Sequence, residues 1–249
     1  MSNNPIRILI LGGTAEARLL AARLEDDARF SPLTSLAGVT AKPSKIAGEV
    51  RTGGFGGVDG LREFVSAENI ALMVDATHPF AAQISAHAVQ AGTLANVPVL
   101  RLERPPWERQ DGDDWVQVAD INEAARSIPE GAHVLVTVGR QEVAPFFAKR
   151  DIHVIARMIE PPEVSVPGHA ELLLARPPFT REQEKALMED KRITVLVTKN
   201  SGGDATFAKI EAARDLGLPV IMIARPEKSS LTTASGVDEM MELIEQKFS

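Results

Sequence analysis

Short apolar runs alternate with helix-forming segments along nearly the whole chain, and this alternation limits the fold more than any other feature. A near-continuous apolar run has no polar face to offer water. It therefore reads as a strand covered on both sides, the condition met in parallel sheets flanked by helices. Ile6 to Leu11 (IRILIL) opens the series, Gly12, Gly13 and Thr14 break it, and Ala15 to Leu24 follows with Leu19, Leu20 and Leu24 on a helical spacing. Further strands are expected at 32–37, 70–74, 97–102, 115–118, 134–138, 152–158, 171–174, 193–198 and 218–223. Helices are expected at 61–65, 80–91, 121–128, 180–189, 208–216 and 237–246, the fourth opened by Thr180 and Gln183 at capping-box spacing. Residues 38–60, rich in glycine, read as mostly loop.

The length of 249 residues admits one large domain or two ordinary ones. A polar, turn-rich stretch from Arg104 to Asp114 marks the expected boundary, giving domains 1–108 and 109–249. The halves echo each other. A shift of 121 sets Val74 on Val195, Pro98 on Pro219 and Arg104-Pro105 on Arg225-Pro226, and a shift of 126 sets Gly13 on Gly139 and Glu16 on Glu142. Two similar α/β halves, with mainly parallel sheets and an interdomain cleft, are expected. Sites in open α/β folds lie beyond the carboxyl ends of the strands, so the loops there are the places to search.

Composition removes several chemistries. With no cysteine there is no thiolate nucleophile, disulfide or cysteine-held metal. The net charge of -7, without a basic stripe, argues against nucleic acid. No apolar run approaches the ~20 residues needed to span a bilayer, and no secretory leader is visible, so a cytoplasmic soluble protein is expected. The five histidines form no HxxxH or HxH cluster, so no metal is expected. The chain has no tyrosine, which removes the Tyr-x-x-x-Lys pair of short-chain carbonyl reductases.

The post-strand loops hold the candidates. Gly12, Gly13, Thr14, Ala15 and Glu16 let backbone amides approach an anion at a helix start, which suits a cofactor pyrophosphate. Ser35, Gly38, Thr40 and Lys42 follow the second strand, where an adenosine ribose usually lies. No acidic residue stands there to bind a ribose diol, which favours a phosphorylated ribose paired with Lys42 or Lys45. Gly54, Phe55 and Gly56 suit a flat ligand. Asp75, Ala76, Thr77 and His78 end the most buried strand, with Asp75 and His78 candidates for proton transfer or ribose binding. In the second half Arg140, Arg157, Arg176, Lys199, Asn200 and Ser201 stand at strand ends, and their charge suits a polyanionic substrate. Lys199 is also a candidate for the reaction itself.

Eight segments carry a family resemblance: ILILGGTAEAR (8–18), SLAG (35–38), RTGGFGG (51–57), DATHPFA (75–81), LRLERPPW (100–107), TVGR (137–140), TKNSGG (198–203) and VIMIARP (220–226). Together they resemble the precorrin-6A reductases, the corrin-ring reductases of cobalamin biosynthesis. The resemblance implies two Rossmann-like halves with the anionic tetrapyrrole between them. It implies NADPH-dependent reduction of one double bond of precorrin-6A to give precorrin-6B, with hydride from the nicotinamide and an added proton. Alternatives are a cobalt-precorrin-6A reductase using NADH and a non-catalytic two-lobed nucleotide- or tetrapyrrole-binding protein. A monomer is expected, with a weak homodimer the alternative. Two departures stand out. Val39 replaces an arginine that many relatives carry after SLAG, and Pro177 replaces the glycine of a Gly-Pro-Phe segment.

Overall fold

A computed structural model describes residues 4–38, 46–228 and 230–249. The chain divides into two compact units, Met1–Pro105 with Pro226–Ser249, and Pro106–Arg225.

Unit 1 begins with β1 (Ile6–Leu11), α1 (Ala15–Glu25), β2 (Phe30–Leu36), β3 (Glu49–Thr52), α2 (Gly57–Ala67), β4 (Leu72–Asp75), α3 (Ala82–Ala95) and β5 (Val99–Leu102). Unit 2 holds β6 (Trp115–Val118), α4 (Ile121–Ser127), β7 (His133–Val136), α5 (Ala144–Ala148), β8 (His153–Met158), β9 (Ala170–Leu174), α6 (Arg181–Asp190), β10 (Val195–Lys199), α7 (Ala208–Asp215) and β11 (Val220–Ile223). The chain then returns to unit 1 with β12 (Thr233–Ala234) and α8 (Val237–Phe248).

Each unit is a six-stranded sheet, in the orders β12-β5-β4-β1-β2-β3 and β6-β11-β10-β7-β8-β9, and every strand pair is parallel. The first is the doubly wound order of dinucleotide-binding folds. Side-chain alternation along β1 explains its central place. Ile8 and Ile10 point to the face covered by α1 and α8, against Leu20, Leu24, Met240 and Ile244. Leu9 and Leu11 point to the other, against Leu61, Val65, Ala88 and Ala91 of α2 and α3. Each such buried side chain contributes about 1.5–3 kcal/mol relative to exposure. In unit 2, Leu135, Ile155, Leu196, Val220 and Met222 meet Met188, Ile210 and Ala213 of α6 and α7 in the same way.

The expected division needs correction at its carboxyl end. Residues 226–249, expected in the second domain, complete the first sheet through β12 and cover α1 with α8. The echo between halves holds as equivalent strand orders, with one change of register. Ile8 pairs with Leu72 and Val134 with Val195, so β4 matches β10 at a shift of 123 rather than 121. Met73 pairs with Val99 and Leu196 with Val220, so β5 and β11 keep 121. A slip of two residues leaves every side chain on its own face, so the hydrophobic pattern alone did not reveal it. The stretch expected as loop, 38–60, contains β3 and the start of α2.

Candidate functional site

The carboxyl ends of β1, β2, β3 and β4 meet in unit 1. The peptide N–H of Gly12 donates to Ser35 O (2.9 Å) and that of Ala76 to Leu11 O (3.0 Å). Thr14 ties the two central loops together: its hydroxyl donates to Ala76 O (2.8 Å) and accepts from the Ala17 N–H (3.1 Å), capping α1. Gly12 packs so closely that a Cβ there would lie 2.9 Å from Thr34 Cγ2, and Gly13 has φ +124. Side chains are thus excluded from the turn. Ala15 and Glu16, the first helical residues, have N–H groups without intrahelical acceptors, a favourable place for an anion. These features fit the pyrophosphate of a nicotinamide dinucleotide. The Glu16 carboxylate is engaged by Arg104 (2.9 Å).

Asp75 is buried at the end of β4. Its Oδ1 accepts from the Thr77 hydroxyl (2.6 Å) and N–H (3.3 Å), and its Oδ2 lies 3.5 Å from Arg101 Nε. Asp75, expected for proton transfer or ribose binding, braces its own loop through these bonds. His78 is half-buried, and its Nδ1 accepts from the Phe80 N–H (3.3 Å). A neutral ring bonded in this way carries its proton on Nε2.

The glycine loop after β3 is organised by Arg51, which the sequence reading passed over. Its guanidinium donates to Ser35 Oγ (2.8 Å), Gly53 O (3.0 Å) and Gly54 O (3.1 Å). It stacks on Phe55 (3.9 Å) and Phe64 (5.0 Å), whose rings meet edge to face. Gly53, Gly56 and Gly57 have φ of +114, +80 and +93. Burial pushes the Arg51 guanidinium below the usual arginine range. The arginine standing first in RTGGFGG was the available signal. Gly38 closes the described part of this region, and Val39, Thr40, Lys42 and Lys45 lie outside the described residues.

Unit 2 places its expected substrate ligands at strand ends but commits several of them. Arg157 is buried and donates twice to Glu184 (2.8 Å each), with Phe179 under its guanidinium at 4.3 Å. The Asn200 amide accepts from the Trp107 N–H (2.7 Å) and donates to Trp107 O (2.9 Å). The Trp107 indole N–H donates to Gly203 O (2.8 Å), so the RPPW segment is clamped to the TKNSGG loop. Lys199 pairs with Glu142, and Arg140 with Glu160 (3.6 Å). Arg176 is exposed, and Ser201 is half-buried. The peptide between Pro177 and Pro178 is cis.

His133, His153 and His169 line up across the starts of β7, β8 and β9, a row that linear motifs do not show. Among the described residues no group of three donors is placed to hold a metal ion. No helix among them is long and apolar enough to cross a membrane.

The comparisons agree with this architecture. The family model described as Precorrin-6x reductase CbiJ/CobK matches residues 7–245. The chain is similar to a precorrin-6A reductase of Rhodococcus erythropolis, with 50% identity over 221 residues, 88% of this chain and 89% of the relative. It is 30% identical over 250 residues to a cobalt-precorrin-6A reductase of Priestia megaterium, 94% of this chain and 96% of the relative. Among solved structures it matches CobK precorrin-6A reductase at TM-score 0.91 and 40% identity, covering 96% of each chain.

Proposed function

We infer the function from one premise: this chain belongs to the precorrin-6x reductase family. It is an oxidoreductase that reduces a carbon–carbon double bond of precorrin-6A in cobalamin biosynthesis with a nicotinamide cofactor. We propose further that the cofactor is NADPH, that unit 1 binds it, and that precorrin-6B is the product.

The observation that carries the cofactor reading is the side-chain-free turn at Gly12-Gly13, opening α1 between β2 and β4, where β1 has a neighbour on each side. That is the crevice used by doubly wound folds. When bound there, the cofactor supplies hydride, and the residues supply position and charge. The amides of Gly13 to Glu16 would hold the pyrophosphate. Ser35 and Gly38 would hold the adenosine ribose, together with Gly54, Phe55 and Gly56 of the glycine loop. Thr14 holds the Ala76-Thr77 loop against the pyrophosphate turn. Asp75 keeps that loop in shape through Thr77. We assign His78, at the carboxyl end of β4, to protonation of the reduced ring: its imidazolium form gives up one proton and returns to the neutral ring that accepts the Phe80 N–H.

The second unit offers Arg140, Arg176, Lys199 and Ser201 at its strand ends for the substrate carboxylates. Arg140 and Lys199 already hold Glu160 and Glu142, so a substrate carboxylate replaces an existing partner rather than entering a bare cationic site. Metal-free precorrin-6A is favoured over the cobalt form by identities of 50% and 44% to precorrin-6A reductases against 30% to a cobalt-precorrin-6A reductase.

The test is anaerobic incubation of the purified protein with precorrin-6A and NADPH. Loss of reduced-nicotinamide absorbance together with a two-hydrogen gain in corrinoid mass is expected. Absence of the mass gain sinks the assignment.

A further inference from the structure

The two sheets carry comparable arginines, on edge strand β3 in unit 1 and on the inner neighbour β8 of the edge strand in unit 2, and only the second has a carboxylate partner among the described residues. In each, the outermost ladder ends with one arginine in its penultimate pair: Ser35 with Arg51 in unit 1, and Arg157 with Leu173 in unit 2. In each, that arginine stacks on a phenylalanine from the loop leading to the next helix, Phe55 at 3.9 Å and Phe179 at 4.3 Å. The helices then differ. Counted from the caps, Thr180 of α6 and Gly56 of α2, Glu184 and Gly60 occupy the same position. Glu184 neutralises Arg157 with two hydrogen bonds in the core. Gly60 cannot do this for Arg51. The Phe55 carbonyl oxygen fills its side-chain space, lying 1.7 Å from where a Cβ would be.

Arg51 therefore keeps its charge. Among the described residues its partners are one hydroxyl and two carbonyls, all neutral. The undescribed stretch 39–45 (VTAKPSK) contains no carboxylate either. A half-buried guanidinium without a counter-anion is costly unless something negative binds beside it. Its place is the carboxyl end of β3 beside that of β2, where the adenosine ribose of a dinucleotide lies and where an arginine accommodates a 2′-phosphate.

We propose that Arg51 is the residue that reads the ribose phosphate of NADPH and sets the preference over NADH. The proposal rests on the reading of unit 1 as the cofactor unit. It moves the role expected of Lys42 to a side chain held rigid by two aromatic rings and three hydrogen bonds. The guanidinium can keep its carbonyl bonds on one edge and offer donors on the other, since it carries five N–H groups in a planar fork.

The experiment compares wild type, Arg51→Gln and Arg51→Lys in the full chain. One readout is kcat/KM with NADPH and with NADH, and the other is calorimetric binding of 2′,5′-ADP against 5′-AMP. For Arg51→Gln the NADPH-to-NADH ratio falls about 10- to 100-fold, the range that hydrogen bonds to a charged group carry. The 2′,5′-ADP-to-5′-AMP affinity ratio falls by the same factor. Arg51→Lys keeps the charge and retains most of both ratios. Equal losses with both cofactors would make Arg51 only a support for the glycine loop and overturn the proposal, as would unchanged ratios. If Arg51→Gln does not fold, equal affinity of the wild type for 2′,5′-ADP and 5′-AMP overturns it. A wild type that reduces precorrin-6A but shows unchanged ratios in the variants sinks Arg51 alone. A wild type that binds neither nucleotide sinks the cofactor reading of unit 1 as well.

Discussion

Glu184→Leu isolates the energetic cost of an unpaired buried charge in this fold. The Arg157 and Glu184 side chains are 8% and 0% exposed and joined by two bonds of 2.8 Å. Removing the carboxylate leaves the buried guanidinium in unit 2 stacked on Phe179 without its anionic partner. Breaking a buried pair in this way costs about 3–5 kcal/mol. For a unit of this size that corresponds to a fall in Tm on the order of 10–20 °C. Both tryptophans, Trp107 and Trp115, lie in unit 2, so their fluorescence in urea reports this unit and not its neighbour. That matters because a chain of two units need not unfold in one step. The double variant Arg157→Leu/Glu184→Leu removes both charges and is expected within about 1 kcal/mol of wild type, since burying the pair is roughly neutral against apolar packing. A single variant within about 1 kcal/mol of wild type would refute the reasoning. So would a double variant as unstable as the single.

Gly60→Ala reverses the usual sign of its substitution. Alanine normally gains about 1 kcal/mol over glycine inside a helix, but here its Cβ displaces the Phe55 carbonyl, so lower stability and weaker NADPH binding are expected by circular dichroism and calorimetry. Thr14→Val removes the α1 cap and the bond to Ala76, for a loss of about 2–4 kcal/mol in urea unfolding and a raised KM for NADPH. Asp215 is held below the usual carboxylate range by its side-chain bond to Arg181. Its folded value is the lower one, so its contribution is complete above the ordinary aspartate pKa of about 3.9 and fades as pH falls through the folded value. Asp215→Asn should flatten the acid limb of the tryptophan-monitored stability curve below about pH 4, and an unchanged limb would contradict this.

The alternation of apolar runs was enough to read most strands and their parallel pairing, because β1, β4, β7, β8, β10 and β11 are buried on both faces. β3 escaped because it is an edge strand with polar, mostly exposed residues, Glu49-Val50-Arg51-Thr52. β12 escaped because two residues make no pattern. The glycine turn and the DATH loop were legible as loops at strand ends because backbone freedom and the close of an apolar run leave local traces. The fates of Arg157 and Asn200 were not legible, since Glu184 and Trp107 are their partners only through the fold. Arg51 was visible as a letter in RTGGFGG, but its lack of a counter-charge depends on Gly60 lying under a carbonyl oxygen.

The route by which β12 reaches its sheet has a consequence for biosynthesis. Residues 226–249 follow unit 2 in chain order, so a ribosome makes all of unit 2 before the last strand and helix of unit 1 exist. At 5–20 residues per second, the intervening 120 residues take roughly 6–24 s. During that interval the β5 edge has no neighbour, and the apolar face of α1 lacks Met240 and Ile244. The unit that begins first is therefore finished last. The nascent chain carries an incomplete first unit with an open strand edge while the second unit folds, and that interval is when the chain most needs protection from aggregation.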